Sequence, residues 1–173
     1  MVWNFRRAFA PGFAVFVVLA GGSVASAGDP PREMRDLVRM PKHELEALYL
    51  ASPPAPAPSG FLPGRAITNP GSRFTVVNSR ATRLAWQGKI FRDDGTMINR
   101  VFGFGKVIPA DVYHGESLID GQPSLILDYS ASKLWPDVRD EIREVAPGLY
   151  LGVMYKGKDQ MQQKMFFTLD ARR

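Results

Sequence analysis

The chain has 173 residues, room for one domain plus appendages, and its 45% apolar content is ordinary for a globular protein. Twenty-two basic and 17 acidic residues give a net charge of +5, yet the basic residues never cluster, so nucleic acid is not an expected partner. Cysteine is absent, which excludes disulfides, zinc–thiolate centres and a cysteine nucleophile and leaves the fold to be held by its own core.

Residues 1–27 read as a signal peptide. Arg6 and Arg7 form a positive n-region, Ala8 to Leu19 an apolar h-region, and Ala25-Ser26-Ala27 an A-x-A cleavage site before Gly28. Cleavage would leave 20 basic against 17 acidic residues, a net +3. The apolar run is too short for a membrane anchor and carries Pro11 and Gly12, so no transmembrane segment is expected in the mature chain. Without a cysteine after the h-region, a lipid-anchored form is excluded. Arg6-Arg7-Ala8-Phe9 also has the form of a twin-arginine leader, although the ordinary secretory route is the simpler reading. The implied location is exported, in the periplasm or cell envelope of a bacterium.

Residues 28–59 read as a helical and Pro-rich tether. Glu33 to Met40 and His43 to Leu50 carry Leu37, Met40, Leu45, Leu48 and Tyr49 at helical spacing, with Pro41 at the start of the second piece. Ser52-Pro-Pro-Ala-Pro-Ala-Pro-Ser59 cannot continue a helix and is expected to run extended. This arm is either an inert spacer or a cap that docks on the domain and closes one end of it.

From Phe61 onward the punctuation is that of a β protein. Arg73 to Val77 reads as a first strand, and Asn78 to Ala85 as a helical turn or a bend. Trp86 to Phe91 and Met97 to Phe102 flank an Asp94-Gly95 hairpin signal. Lys106 to Tyr113, Ser124 to Tyr129, Asp137 to Val145, Leu149 to Tyr155 and Met161 to Leu169 complete the series, with turns at Asp120-Gly121, Pro147-Gly148 and Gly157-Lys158-Asp159. About eight strands with short turns predict a mainly β domain over residues 60–170: an antiparallel meander closed, or nearly closed, into a small lipocalin-like barrel, preceded by a short helix. A sandwich is the alternative.

Trp86-Gln-Gly-Lys-Ile-Phe91, Ile98-Asn-Arg100, Tyr113-His-Gly-Glu-Ser117, Leu127-Asp-Tyr-Ser130 and Asp140 to Gly152 together resemble a family of uncharacterised small exported bacterial proteins, over about residues 60–169. More distantly, Trp86-x-Gly88-Lys89 and the segment from Gly152 to Phe167 are similar to GXWXG-associated domains, which implies a lipocalin-like barrel. The chain lacks the G-x-W of true lipocalins, and the resemblance transfers no activity.

The strand from Asp140 poses a conflict. Asp140, Ile142 and Glu144 share one face, and Glu141, Arg143 and Val145 the other, so whichever face turns inward takes a charge with it. Asp128 interrupts an apolar strand, and Arg143 from the following strand is its expected partner. These residues, with Tyr129, Tyr150 and Trp86, form the candidate site: Arg143 anchoring a charged head and the aromatics lining a lumen. Asp140, Glu141 and Glu144 otherwise read as a solvated edge. The remaining aromatics, Phe102 and Phe104 among them, read as core, and Trp135 as a contact for a partner.

The expected function is therefore a non-enzymatic, monomeric carrier of a small apolar or amphipathic, lipid-like ligand. Two alternatives belong to other classes: a small envelope enzyme using Asp128, His114 or Asp140 as acid and base, and an envelope scaffold working through its tether. His43 and His114 fall in separate segments, so no metal site or cofactor is expected. Asp93-Asp94-Gly95 lacks the ladder of oxygen ligands of a calcium loop.

Overall fold

The computed structural model describes residues 31–101 and 108–172. The leader at 1–27, together with Phe102, Phe104 and Lys106, lies outside the described residues. Eight antiparallel strands close into a barrel in sequence order: β1 (Gly60–Ile67), β2 (Trp86–Phe91), β3 (Thr96–Val101), β4 (Ile108–Glu116), β5 (Pro123–Asp128), β6 (Val138–Ala146), β7 (Leu149–Lys156) and β8 (Gln162–Asp170). Among the described residues, three helices accompany them: α1 (Met34–Arg39), α2 (Lys42–Ala51) and α3 (Thr75–Ala85). The predicted meander barrel is the observed fold, and the sandwich is not formed. No helix among the described residues is long and apolar enough to cross a membrane.

Two corrections concern the first part of the domain. The strand expected over Arg73 to Val77 is instead the start of α3, and the first strand is β1, thirteen residues earlier at Gly60. Thr75, Val76 and Val77 carry β-branched side chains, which favour strands only as a weak preference that tertiary context overrides. Pro63 and Gly64 disguise β1. They are tolerated because β1 changes partner midway: Gly60 to Pro63 pair with β2, and Gly64 to Ile67 pair with β8. Neither half therefore needs a full ladder on both sides.

Two apolar clusters organise the molecule. The first fills the lumen with Leu62, Phe91, Met97, Leu125, Leu127, Ile142, Phe167 and Leu169. The second lies outside the wall, where Leu149, Leu151, Val153, Tyr155 and Phe166 of β7 and β8 are covered by Leu37 and Val38 of α1 and by Leu45 and Tyr49 of α2. This is why β7 reads as a nearly continuous apolar run: both of its faces are buried.

The Pro-rich arm is docked. Ala55 is fully buried within the lumen cluster, Pro54 forms a β-bridge with Arg143, and His114 donates from Nε2 to the Ala55 carbonyl at 2.9 Å. The arm thus covers the barrel end that carries the β2–β3 hairpin and the β6–β7 turn. At the other end stand the last residues of β1, the C-terminus of α3 and the β7–β8 turn.

Candidate functional site

Alternation along β6 settles the charge conflict by burying both faces. Asp140 and Ile142 point into the lumen, while Glu141 and Arg143 point outward and are buried beneath α2 and the β4–β5 connection. The expected Asp128–Arg143 pair does not form. Arg143 instead holds Asp120 through two nitrogens, Nη1 to Oδ2 at 2.9 Å and Nη2 to Oδ1 at 2.7 Å, and also donates to the Tyr49 carbonyl at 3.1 Å. Its guanidinium stacks 4.6 Å from the Tyr49 ring centroid. Hydrogen bonding from Arg143 holds the Asp120 carboxyl below its usual range. Asp128 lies on the outer surface, where it accepts from the Tyr113 hydroxyl at 3.1 Å and from the Ser130 amide at 2.8 Å. Arg143 and Asp128 are therefore components of the outer wall.

Glu141 is fully buried and just as fully paired. It accepts from Ser117 Oγ at 2.6 Å, the Leu118 amide at 3.0 Å and Arg139 Nε at 3.0 Å. The Tyr49 hydroxyl approaches the same carboxylate at 3.5 Å and shares a 2.8 Å hydrogen bond with Ser124. Burial, with the Glu141 charge adding to it, pushes Tyr49 up to about 12.

Inside the lumen stands a second polar group centred on Lys89, whose residue is 2% exposed. Its Nζ donates to Asp140 Oδ2 at 2.7 Å, the Tyr129 hydroxyl at 2.7 Å and Asn99 Oδ1 at 3.0 Å, one partner for each ammonium hydrogen. Tyr129 donates to Asp140 at 2.9 Å, Asn99 Nδ2 donates to Tyr129 at 2.9 Å, and Trp86 Nε1 donates to Asn99 Oδ1 at 2.9 Å. The rings of Trp86, Tyr129 and Phe167 lie 5.0–5.5 Å from Nζ. Burial draws the Lys89 ammonium below its ordinary pKa against the pull of Asp140. Burial and the Asp140 charge push Tyr129 well above its own.

This network forms one wall of a cavity of about 440 Å³ that also takes in Ala66, Trp86, Trp135, Met154, Met165 and Phe167. Thr82 and Ala85 of α3 and the lysines Lys156 and Lys164 border it at the end opposite the Pro-rich arm. Gly152 makes room for the Phe167 ring facing it across β7 and β8, because a Cβ at that position would collide with the ring. Trp86 meets Phe167 edge to face, with centroids 5.8 Å apart.

Of the sequence-derived candidates, the structure brings Trp86, Tyr129 and Tyr150 to the lumen side, and leaves Arg143 and Asp128 outside. Trp135, read as a partner contact, packs on Tyr129 instead, with ring centroids 5.9 Å apart. Lys89 and Asn99 escaped sequence reasoning, and Asp140 was read as a solvated edge. Lys89 was hidden by a bulge. Residues three apart on a regular strand face opposite ways, yet Trp86 and Lys89 both reach the cavity because the register slips between Trp86 and Gly88. Gly88 adopts φ 141° there, and a Cβ would strike the Leu62 carbonyl. The available signal was Gly88 itself, a glycine inside a strand next to a lysine.

No protein-family model and no curated protein matches the sequence significantly. Among solved structures, a protein from Thermomonospora curvata is similar, with 19% identity, a TM-score of 0.52, and coverage of 78% of this chain and 90% of that one. At that identity the likeness concerns the fold.

Proposed function

We propose that the protein is an exported carrier of a small apolar or amphipathic, lipid-like molecule, and that it works without catalysis. The observation that carries this reading is the 440 Å³ cavity, a volume within the range of small-molecule pockets, about 300–1,000 Å³. Its apolar walls include the rings of Trp86, Trp135 and Phe167 and the thioethers of Met154 and Met165, which suit a hydrocarbon body. Its polar features are Lys89, Asp140 and Asn99, satisfied among themselves and by Tyr129, with Thr68, Thr82 and the two rim lysines. An acidic head would sit at Lys156 and Lys164, where the cations reach water, and not at Arg143, which Asp120 already neutralises outside the barrel. The leader sequence supports export.

The enzyme reading is less favoured because its three candidate groups stand apart. Asp128 is hydrogen-bonded on the outer wall, His114 is engaged with the Pro-rich arm, and Asp140 lies in the lumen on Lys89. The scaffold reading is less favoured because the arm is engaged with its own barrel, through buried Ala55 and the Pro54–Arg143 bridge.

The test is native mass spectrometry of the protein purified from its host, beside an Ala66→Trp variant. Ala66 is a small buried wall residue, so an indole at that position fills the cavity. A co-purifying small molecule present in the wild type and lost in the variant is the expected result. A wild-type protein that carries nothing, and takes up no fluorescent fatty acid, would overturn the reading.

A further inference from the structure

Helix α3 is built the wrong way round for a helix covering a barrel. Its inward face is mostly polar: Thr75 and Ser79 are buried and Asn78 and Thr82 half-buried, with Val76 the apolar residue among them. Its outward face carries Phe74, Val77 and Leu84, which are 53%, 61% and 75% exposed, with Ala81 between them. These positions follow the helical repeat, so they form a stripe and not a scatter. A solvated helix would place its hydroxyls and amide outward, and an apolar face left in water has a cost that a partner surface removes.

The charge along this helix is of one sign. From Ser72 to Lys89 the chain contains no Asp or Glu, and Arg73, Arg80 and Arg83 are all exposed. The adjoining rim of the barrel continues the pattern with Lys156, Lys158 and Lys164, against Asp137 and Asp159. Two further exposed apolar side chains belong to connections at the same end: Leu134 beside the cavity-lining Trp135, and Met161 in the β7–β8 turn.

From this juxtaposition we infer that α3 and the basic rim of the barrel mouth dock on an anionic lipid surface, with Phe74, Val77 and Leu84 entering the interface and the arginines and lysines meeting the head groups. An apolar stripe flanked by arginines has the composition of an interfacial helix, whereas a protein partner would not require cations at every margin. The arrangement also gives the barrel mouth a direction. Thr82 and Ala85 of the docking helix border the cavity, so a molecule leaving the bilayer beside α3 reaches the lumen without crossing bulk water. Docking does not depend on the carrier reading, and its test does not use the cavity.

Because the chain has no cysteine, a single one can report locally. Val77→Cys carrying an environment-sensitive dye is mixed with vesicles of phosphatidylglycerol and phosphatidylcholine, and with vesicles of phosphatidylcholine alone. Leu84→Cys is the second reporter, and Asp93→Cys, exposed in the β2–β3 turn at the opposite end, is the control. The expected result is a blue-shifted, brighter emission from positions 77 and 84 with anionic vesicles only, while position 93 stays silent. Reversing Arg80 and Arg83 to Glu in the reporter chain should weaken vesicle affinity by roughly tenfold or more, since each basic residue contributes separately at an anionic surface. Silence at both stripe positions, or an equal response at position 93, would overturn the proposal. So would a shift that grows with protein concentration in the absence of vesicles, which would assign the stripe to a second copy of the chain.

Discussion

Replacing Lys89 with methionine tests the energetics of the lumen network directly. Methionine keeps the length of the side chain among the Trp86, Tyr129 and Phe167 rings but removes all three donors. Asp140, 4% exposed, then keeps the Tyr129 hydroxyl and loses the cation that lay 2.7 Å away. Stranding one partner of a buried pair costs about 3–5 kcal/mol, and the better apolar packing of methionine offsets about 1 kcal/mol of that. The net expectation is a destabilisation of about 3 kcal/mol, read as a lower urea midpoint with an unchanged m-value. The second arm of the experiment is Lys89→Met combined with Asp140→Leu. With both charges gone the lumen has no stranded ion, so the double variant should recover most of the loss and show a coupling energy of about 2 kcal/mol or more. A single variant within about 1 kcal/mol of wild type, or a double variant equal to the sum of its parts, would refute the pairing argument.

Alkaline stability is a second prediction. Tyr49, raised to about 12, and Tyr129 and Tyr155, both raised by burial, stay protonated when folded at a pH where the unfolded chain releases their protons. Stability from these groups is fully present below pH 10 and falls as pH rises above it, and Tyr49→Phe should flatten the decline in urea titrations between pH 10 and 12. Arg143→Ala should cost about 3 kcal/mol, because Asp120 and the Tyr49 carbonyl lose their shared donor. In hydrogen exchange it should deprotect α2 and the Pro-rich arm while leaving fatty-acid uptake intact; loss of uptake at unchanged fold would return Arg143 to the site.

Most of the barrel was legible because its strands obey local rules. Asp94-Gly95 and Pro147-Gly148 fall at the turns of β2–β3 and β6–β7, and the apolar runs from Ser124 and Leu149 fall on β5 and β7. What escaped was decided by non-local pairing. β1 is a strand only because β2 and β8 each complete half of it, and α3 is a helix despite its β-branched start. The site was half visible for a related reason. Alternation shows that one face of the Asp140 strand must carry a charge inward, but it could not say which, nor that Glu141 and Arg143 on the other face would be buried as well, beneath α2. Nor could it align Lys89 with Trp86 through a bulge.

The pairing of β1 with β8 has a consequence for how the protein comes into being. Gly64 to Ile67 find their partners at Phe166 to Leu169, so the last strand of the barrel to be synthesised completes the first. A chain that still lacks β8 cannot close the cylinder, and closure over so long a loop is slow compared with hairpin formation. Until then the nascent barrel carries two open edges, each able to add a strand from a neighbouring chain. Loss of residues beyond Met161 would make that transient state permanent, and such a truncation should yield aggregates in place of a smaller folded domain.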